Sequence, residues 1–535
     1  MELSPGLIKE NYQNKKLDKN SAINQLVSLI ENSNDLRTRI ESINVLSQIN
    51  ENLDKNSAIN QLVSIIENSD DLQARIDSIN VLAQIKANTE SVFKLLENLL
   101  ISDSHEIIRY TAATVIERIF LDIALEPLKW VFKHEESLRC LLTVSKILGK
   151  IDSPQSKSLL IQRINEISNE KIVESLKLLF ENIAIENFSS VELSEIIENY
   201  FIITDLEKKF GQISYQVKDG LIIQLDLSDV SSHVFGWTIL NKFPEFMEFL
   251  NSLDSLDLKF NRLTAIPETI NLLNSIKYID LSYNKIKSLP DSIGELNVLK
   301  FLNLRYNKLK FLPNSIGSLS SLLHLDLRAN ELFTLPNTIS NLSKLEHLDL
   351  HGNNLNKLNV SFKGITSLKQ LELGLNNLEQ VPKCIKSLKS LKKLGLGGNK
   401  LSMLPNWIGS FQSLEILHLF DNQLTQLPSS IGTISSLEEL TLWNNHLSSL
   451  PKSFCYLDNL KVLNLSWNSF ESLPSWIGSL KSLEILSLWG NKLKVLPKSL
   501  ENLTSLKILD LNFNNVQETP TFLSELEKRG LIIYK

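Results

Sequence analysis

The sequence predicts an α+β repeat protein: an N-terminal α-helical solenoid followed by a curved α/β array whose concave face is a parallel sheet. Three observations carry this expectation. The twelve residues 17–28 recur unchanged as residues 53–64, 36 positions later. An asparagine returns every 23 residues, twelve times, from Asn261 to Asn514. Of 18 glycines only Gly6 and Gly149, and of 15 prolines only Pro5, Pro127 and Pro154, precede residue 211. Few turn-formers favour helices, and regular punctuation favours many short units.

Composition bounds the class. The chain has 535 residues, 43% hydrophobic and 22% charged, with a net charge of −6, as in a folded soluble protein. No apolar run reaches the roughly 18 to 20 residues of a membrane span, so no membrane insertion is expected. The first residues lack the basic and apolar regions of a secretory signal. Cys140, Cys384 and Cys455 lie far apart and form no metal or redox motif. These features together point to the cytoplasm. Residues 1–210 carry 23 Lys+Arg against 32 Asp+Glu and the remainder 32 against 29, so the halves have net charges of −9 and +3. Neither is basic enough to predict nucleic-acid binding.

After an N-terminal tail, 1–16, the helical part covers 17–185. In its first copy Ile23, Leu26, Val27 and Ile30 follow the i, i+3, i+4, i+7 spacing of one helix face, and Leu36, Ile40, Ile43 and Leu46 define a second helix. One such pair cannot bury its stripe alone, whereas stacked pairs can. Looser copies follow at 95–119, 128–148 and 159–183. An arginine keeps its place in the second helix as Arg39, Arg75, Arg109 and Arg139. This pattern, clearest at residues 103–112, resembles the HEAT-type helical repeat. The arginines are expected to bond backbone or acidic neighbours between repeats.

A connecting helix or linker is expected over 186–212. A cap hairpin turning at Asp219-Gly220, with an irregular first repeat, follows over 213–258. In that irregular unit Leu225 precedes Leu256 by 31 residues, and the extra residues include 234–237. Regular repeats run over 259–520, and a short helix with a closing strand caps the end at 521–535.

Each regular unit is built around one of Asn261, Asn284, Asn307, Asn330, Asn353, Asn376, Asn399, Asn422, Asn445, Asn468, Asn491 and Asn514. Apolar residues at −8, −5, −3 and +2 from the asparagine point inward, while −6, −4 and −2 alternate outward, the period of a strand. An asparagine carries both donor and acceptor, so a buried column of them can satisfy backbone groups where each strand turns away. Proline stands at +6 in eleven units, Asn359 being the exception, and an X-Pro step favours the extended backbone of an outer return path.

These units resemble the leucine-rich repeat, over roughly residues 211–535, which implies an α/β horseshoe. The frame Leu312-Pro313-Asn314-Ser315-Ile316-Gly317-Ser318-Leu319 is similar to that of the intracellular Ras-group-related and Scribble-like proteins. The resemblance implies a non-enzymatic protein-binding scaffold or adaptor, with a small GTPase among its partners. Alternative expectations are the substrate-recognition arm of a ligase or phosphatase complex and a metal-dependent hydrolase.

Function is expected on the concave sheet, where outward positions are free of the repeat frame. At about 4.8 Å per strand, twelve units give a face on the order of 55 Å long. An early zone offers Tyr278, Tyr283, Arg305, Tyr306, Arg328 and His351, beside the carboxylates Asp257, Asp280, Asp326, Asp349 and Glu372. The middle is nearly bare, with Gly374, Gly395, Gly397 and Gly398. The late zone is aromatic, with His418, Phe420, Trp443, Trp467 and Trp489, a composition enriched at interface hot spots. Arg305 and Arg328 are expected to steer an acidic region of a partner onto the early zone. His324 and His347 lie in one column beside Asp326 and Asp349, the basis of the metal alternative. Residues 395–399 lack the spacing of a phosphate loop. No cofactor, resident metal, catalytic residue or small-molecule substrate is expected.

Overall fold

The computed structural model describes residues 4–33, 35–49, 55–230, 240–517 and 520–535. The chain divides into two compact units, Met1–Lys208 with Val217–Leu221, and Lys209–Gln216 with Ile222–Lys535.

Up to Phe210 the described residues form α1 (Pro5–Gln13), α2 (Lys19–Asn32), α3 (Leu36–Ile49), α4 (Lys55–Asn68), α5 (Leu72–Gln84), α6 (Glu90–Ser102), α7 (Glu106–Ile119), α8 (Leu125–His134), α9 (Leu138–Ile151), α10 (Pro154–Asn165), α11 (Glu170–Asn182) and α12 (Ser190–Phe210). Helix α1 lies within the stretch read as a tail; Ser4 caps it by accepting from the N–H of Leu7, and Ile8 is buried. Side-chain caps also start α2 at Asp18, α5 at Asp71 and α6 at Thr89, each taking an N–H the helix itself cannot satisfy.

The apolar stripes find one another. Helix α2 packs on α3, α4 on α5, α6 on α7 and α8 on α9, while α3, α5, α7 and α9 form a continuous second layer. Leu26, Ile40, Ile43 and Leu46 are all buried there. The arginines tie neighbours together, as at Arg109, whose Nε and Nη2 reach the Glu135 carboxylate at 2.7 and 2.9 Å while Nη1 reaches the Asp103 carbonyl at 2.8 Å. Arg75 holds the Asp103 carboxylate and the Ile66 carbonyl. Asp103 therefore joins two successive helix pairs.

The strands, nearly all of them in the second unit, form one sheet of fifteen whose spatial order is their chain order. Strands β1 (Ser214–Lys218) and β2 (Leu221–Asp226) flank Asp219 and Gly220, at φ 53° and 78°, the paired positive values of a type I′ hairpin turn. Twelve three-residue strands follow: β3 (Ser255–Asp257), β4 (Tyr278–Asp280), β5 (Phe301–Asn303), β6 (His324–Asp326), β7 (His347–Asp349), β8 (Gln370–Glu372), β9 (Lys393–Gly395), β10 (Ile416–His418), β11 (Glu439–Thr441), β12 (Val462–Asn464), β13 (Ile485–Ser487) and β14 (Ile508–Asp510). Helix α13 (Thr521–Lys528) and strand β15 (Ile532–Tyr534) close the array. Pairing from β2 to β15 is parallel; Leu225 faces Leu256 across the irregular first unit, and Leu509 faces Ile533 at the end. Residues 234–237 of the irregular unit lie outside the described residues.

Each of the eleven repeat prolines stands immediately before a helical turn: ten precede 3₁₀ turns, and Pro520 precedes α13. Proline suits this capping position because its fixed φ matches the extended backbone there and no N–H is lost from the ladder. The unit with Asn359 in place of proline has no 3₁₀ turn among its described residues. A glycine at +10 in five units lets successive coils touch. At Gly294, Gly317, Gly409, Gly432 and Gly478 an added Cβ would lie 2.1–2.3 Å from a carbonyl oxygen of the next coil.

Candidate functional site

The sheet face begins with backbone geometry. In every regular unit the residue before the ladder asparagine has positive φ, from Phe260 at 57° to Phe513 at 54°, nine of them non-glycine and the others Gly352, Gly398 and Gly490. Left-handed backbone is disfavoured for L-residues with a Cβ, so something must hold these positions. The asparagine does. Asn284 Oδ1 accepts from the N–H of Leu263 at 2.9 Å, and its Nδ2 donates to the carbonyls of Leu258 at 2.9 Å and Leu281 at 3.1 Å. The same three bonds recur from Asn307 to Asn514. Asn261 reaches back to Leu227 across the irregular unit at 2.8 Å.

The acidic line has a structural source. At −4 the side-chain oxygen of Asp or Asn accepts from the N–H two residues on: Asp257 from Lys259, Asp280 from Ser282, Asn303 from Arg305, Asp326 from Arg328 and Asp349 from His351, at 2.9–3.1 Å. This Asx turn ends the strand and leads the chain toward the left-handed residue. Asp280 and Asp326 are buried in making it, and burial pushes the Asp326 and Asp257 carboxyls up.

Side chains one coil apart stack into columns. Rings of Phe260, Tyr283 and Tyr306 lie 4.3 and 4.5 Å apart, and Arg305 covers Tyr283 at 4.9 Å. A second column runs Tyr278, Phe301, His324 and His347, at 4.4, 4.5 and 5.4 Å. Burial, with His347 and Arg328 nearby, pulls the His324 imidazole down. In the late zone Phe420 lies flat on Trp443 at 4.9 Å, while Trp467, Trp489 and Phe513 meet at 5.2 and 6.0 Å with rings tilted. The stacked pair is half-buried, whereas Trp467, Trp489 and Phe513 remain 49%, 37% and 77% exposed.

The early zone is less open electrostatically than its residue list implies. Arg328 is engaged with the Asp349 carboxylate, its Nε at 3.2 Å, and this partner raises the guanidinium further. Lys393 pairs with Glu372 at 3.0 Å and His418 with Glu439 at 3.1 Å. Arg328 cannot offer a partner its full charge. Among the described residues no three His, Cys, Asp or Glu side chains are placed to hold a metal ion. His324 sits in the ring stack, and Asp349 serves Arg328 and the His351 N–H.

The glycine zone is not bare. A Cβ on Gly395 would meet the Glu372 carboxylate at 1.7 Å, one on Gly397 the Phe420 ring at 2.6 Å, and one on Gly374 the His351 ring at 2.7 Å. Neighbouring side chains lean across these positions. Gly397 and Gly398 lie beyond β9 instead of within it, so the expectation of strand residues holds for Gly395 alone. At the border of the early and glycine zones a depression of about 480 Å³ opens, lined by Tyr306, His324, Arg328, Asp349, Glu372 and Lys393, among others.

Comparison with known families agrees with this frame. A leucine-rich repeat region model matches residues 268–378 and 406–528, and a second leucine-rich repeat model matches 359–401. The chain is a leucine-rich-repeat protein. Among solved structures it is similar to the leucine-rich-repeat protein LIC12759 of Leptospira interrogans, at 30% identity over 58% of this chain and 90% of that one, TM-score 0.45. The plant peptide hormone receptor RGFR1, solved in complex with RGF2, matches at 30% identity over 53% and 47%, TM-score 0.46. An internalin of Listeria monocytogenes matches at 20% identity over 70% and 96%, TM-score 0.49. The chain thus spans about half the length of the plant receptor. No curated protein sequence matches it.

In leucine-rich-repeat terms, Tyr278 and His418 belong to strand positions, while Arg305, Arg328, His351, Phe420, Trp443 and Trp489 stand at −2. Tyr283, Tyr306 and Trp467 occupy the left-handed position. These residues therefore group into separate columns: Tyr278 stacks with Phe301, Tyr283 with Tyr306, and Trp443 with Phe420. Phe301, Lys393 and Phe513 belong to these columns as well, though they were not among the contact residues expected from the sequence. The first two occupy −6 and the third −1, so their register alone would have placed them beside the residues already singled out.

Proposed function

We propose that this leucine-rich-repeat protein is a non-catalytic interaction scaffold that binds a protein partner on the late zone of its concave face. The supporting observation is the open aromatic run of Trp467, Trp489 and Phe513, which continues from the stacked pair Phe420 and Trp443. Rings packed on one another have already given up much of their rotational freedom, so a partner covering them gains apolar burial at small ordering cost. The early zone, with its Arg328–Asp349 pair and its depression, sets register more than affinity. We further propose a cytoplasmic signalling role with a small GTPase as partner, supported by the Leu-Pro-x-x-Ile-Gly-x-Leu frame at residues 312–319.

Affinity capture from lysate of the source cells, wild type beside Trp467→Ala/Trp489→Ala, tests the reading. Each hot-spot tryptophan is expected to contribute about 2 kcal/mol, roughly thirtyfold in affinity. The variant should lose its partner while keeping its thermal midpoint, because both side chains face outward. Equal capture by the two proteins refutes the placement. Running each arm with GDP or a non-hydrolysable GTP analogue tests the finer form: a GTPase held in one nucleotide state supports it, and capture without such a partner overturns it.

A further inference from the structure

The coil between β7 and β8 breaks the outer surface of the array. It is the unit with Asn359, and of the two bonds that define the turn in other coils it makes only one, Ile365 N–H to the Phe362 carbonyl at 3.1 Å. Its glycine is also displaced: Gly364 stands eleven residues after Asn353, where five other coils place glycine at ten. The consequence is steric. Elsewhere the glycine admits a carbonyl of the next coil, whereas a Cβ on Gly364 would meet the Ser340 carbonyl of the preceding coil at 2.0 Å. Beside this coil a slot of about 750 Å³ opens toward the turn Lys383–Ser387 of the next one.

The slot is basic. Of its eleven lining residues four are lysines, Lys363, Lys383, Lys386 and Lys389, and none is acidic. Some lysines elsewhere on this unit are paired with a carboxylate one coil away, as in Lys277–Asp254, Lys369–Glu346, Lys392–Glu415 and Lys461–Glu438. Among the described residues the four slot lysines form no such ion pair; Lys389 donates to the Ser410 hydroxyl at 3.1 Å. All four are exposed, as is the Asn359 side chain at the mouth, while Val360 and Phe362 are buried beneath them. Exposed ammonium groups gathered around one slot set up a local positive potential that attracts opposite charge.

We propose that this slot, on the side of the coil opposite the sheet, is a docking site for an extended acidic protein segment. The chemistry favours a peptide over a polynucleotide. The slot's lining has no arginine fork for phosphates and no exposed aromatic platform on which bases could stack. Ammonium groups around a slot match carboxylates on a flexible segment, and the Asn359 amide offers a donor and an acceptor to its backbone. The site is independent of the aromatic zone, so either proposal can fail alone.

The test is fluorescence anisotropy on the full chain with a labelled ten-residue peptide carrying four glutamates among apolar residues. Its glutamine counterpart and a single-stranded oligonucleotide of equal charge run beside it. Saturable binding of the glutamate peptide, weakened at least tenfold by Lys383→Glu/Lys386→Glu and less than twofold by Lys285→Glu/Lys308→Glu, supports the slot. The two variants have the same net charge, and all four lysines are exposed, so both should keep the wild-type thermal midpoint. Equal loss in both variants, absence of peptide binding, or preference for the oligonucleotide overturns the proposal.

Discussion

The ladder asparagine is where a single side chain does most to define this structure. Asn376 is buried and bonds four backbone groups, the Leu355 N–H at 3.0 Å and the carbonyls of Leu350, Leu373 and Gly374 at 2.9, 3.1 and 3.1 Å. Asn376→Ala leaves the Leu355 N–H without a partner, at roughly 1–3 kcal/mol for a buried group left unmade. The Leu350, Leu373 and Gly374 carbonyls keep their bonds from Asn353 Nδ2, Asn399 Nδ2 and the Gly352 N–H. Urea unfolding should show a loss of about 2 kcal/mol for Asn376→Ala, and a smaller one for Asn514→Ala, whose side chain is only half-buried. A loss under about 1 kcal/mol at Asn376 would mean that water replaces the amide. The role of the asparagines was legible in the sequence, because nothing else explains an unslipping period of 23 in a residue able to donate and accept. The left-handed backbone before each asparagine was not. Phe260, Tyr283, Tyr306, Trp467 and Phe513 are poor formers of that conformation, and only the bonds around them show why they adopt it.

Among the elements, the coil is set by its glycine and proline. Gly432 has ordinary backbone, yet an added Cβ would stand 2.1 Å from the Ser453 carbonyl of the next coil. Backbone cannot yield as a flexible side chain can, so Gly432→Ala should destabilise the array by about 2 kcal/mol or more. Differential calorimetry would show this as a lowered and broadened transition, since an array coupled only through neighbours fractures at its weakest interface. An unchanged transition would show that adjacent coils shift to make room. Proline at +6 announced an extended return path, and the turn that follows it became visible only in three dimensions. The unit lacking proline is the exception on both counts. The carboxylate line adds a second lesson: Asp257, Asp280, Asp326 and Asp349 stood out in the sequence only as carboxylates beside the early zone, and their first task is to end strands.

For the whole molecule the two units give separable signals. Six of the seven tryptophans follow residue 210, Trp130 being the exception, so tryptophan fluorescence reports mainly the repeat unit and the helical signal mainly the first. Glu198 on α12 makes that separation useful. Its Oε1 is buried without a partner, and burial, with Glu195 nearby, pushes the carboxyl from 4.5 up to about 8. Between those values the folded chain keeps a proton that the unfolded chain has lost. Stability is therefore fully present below pH 4.5 and falls until pH reaches about 8, at roughly 1.4 kcal/mol per pH unit at most. Glu198→Gln should remove that slope, raising the helical melting transition at pH 8 and leaving the fluorescence transition in place. A variant with the wild-type slope would show that Glu198 ionises freely in the folded chain.

By itself the sequence determined the order of the two repeat types, the inward and outward columns, the hairpin and the closing strand. All of these follow from local periodicity and turn chemistry, which a chain displays along its length. The tertiary structure decided what the columns do to one another. Residues 23 apart come to lie one strand apart, so Phe420 covers Gly397, Asp349 takes the charge of Arg328, and Gly364 lies against the coil behind it. Those outcomes depend on side-chain reach and rotamer in three dimensions, which no single repeat contains.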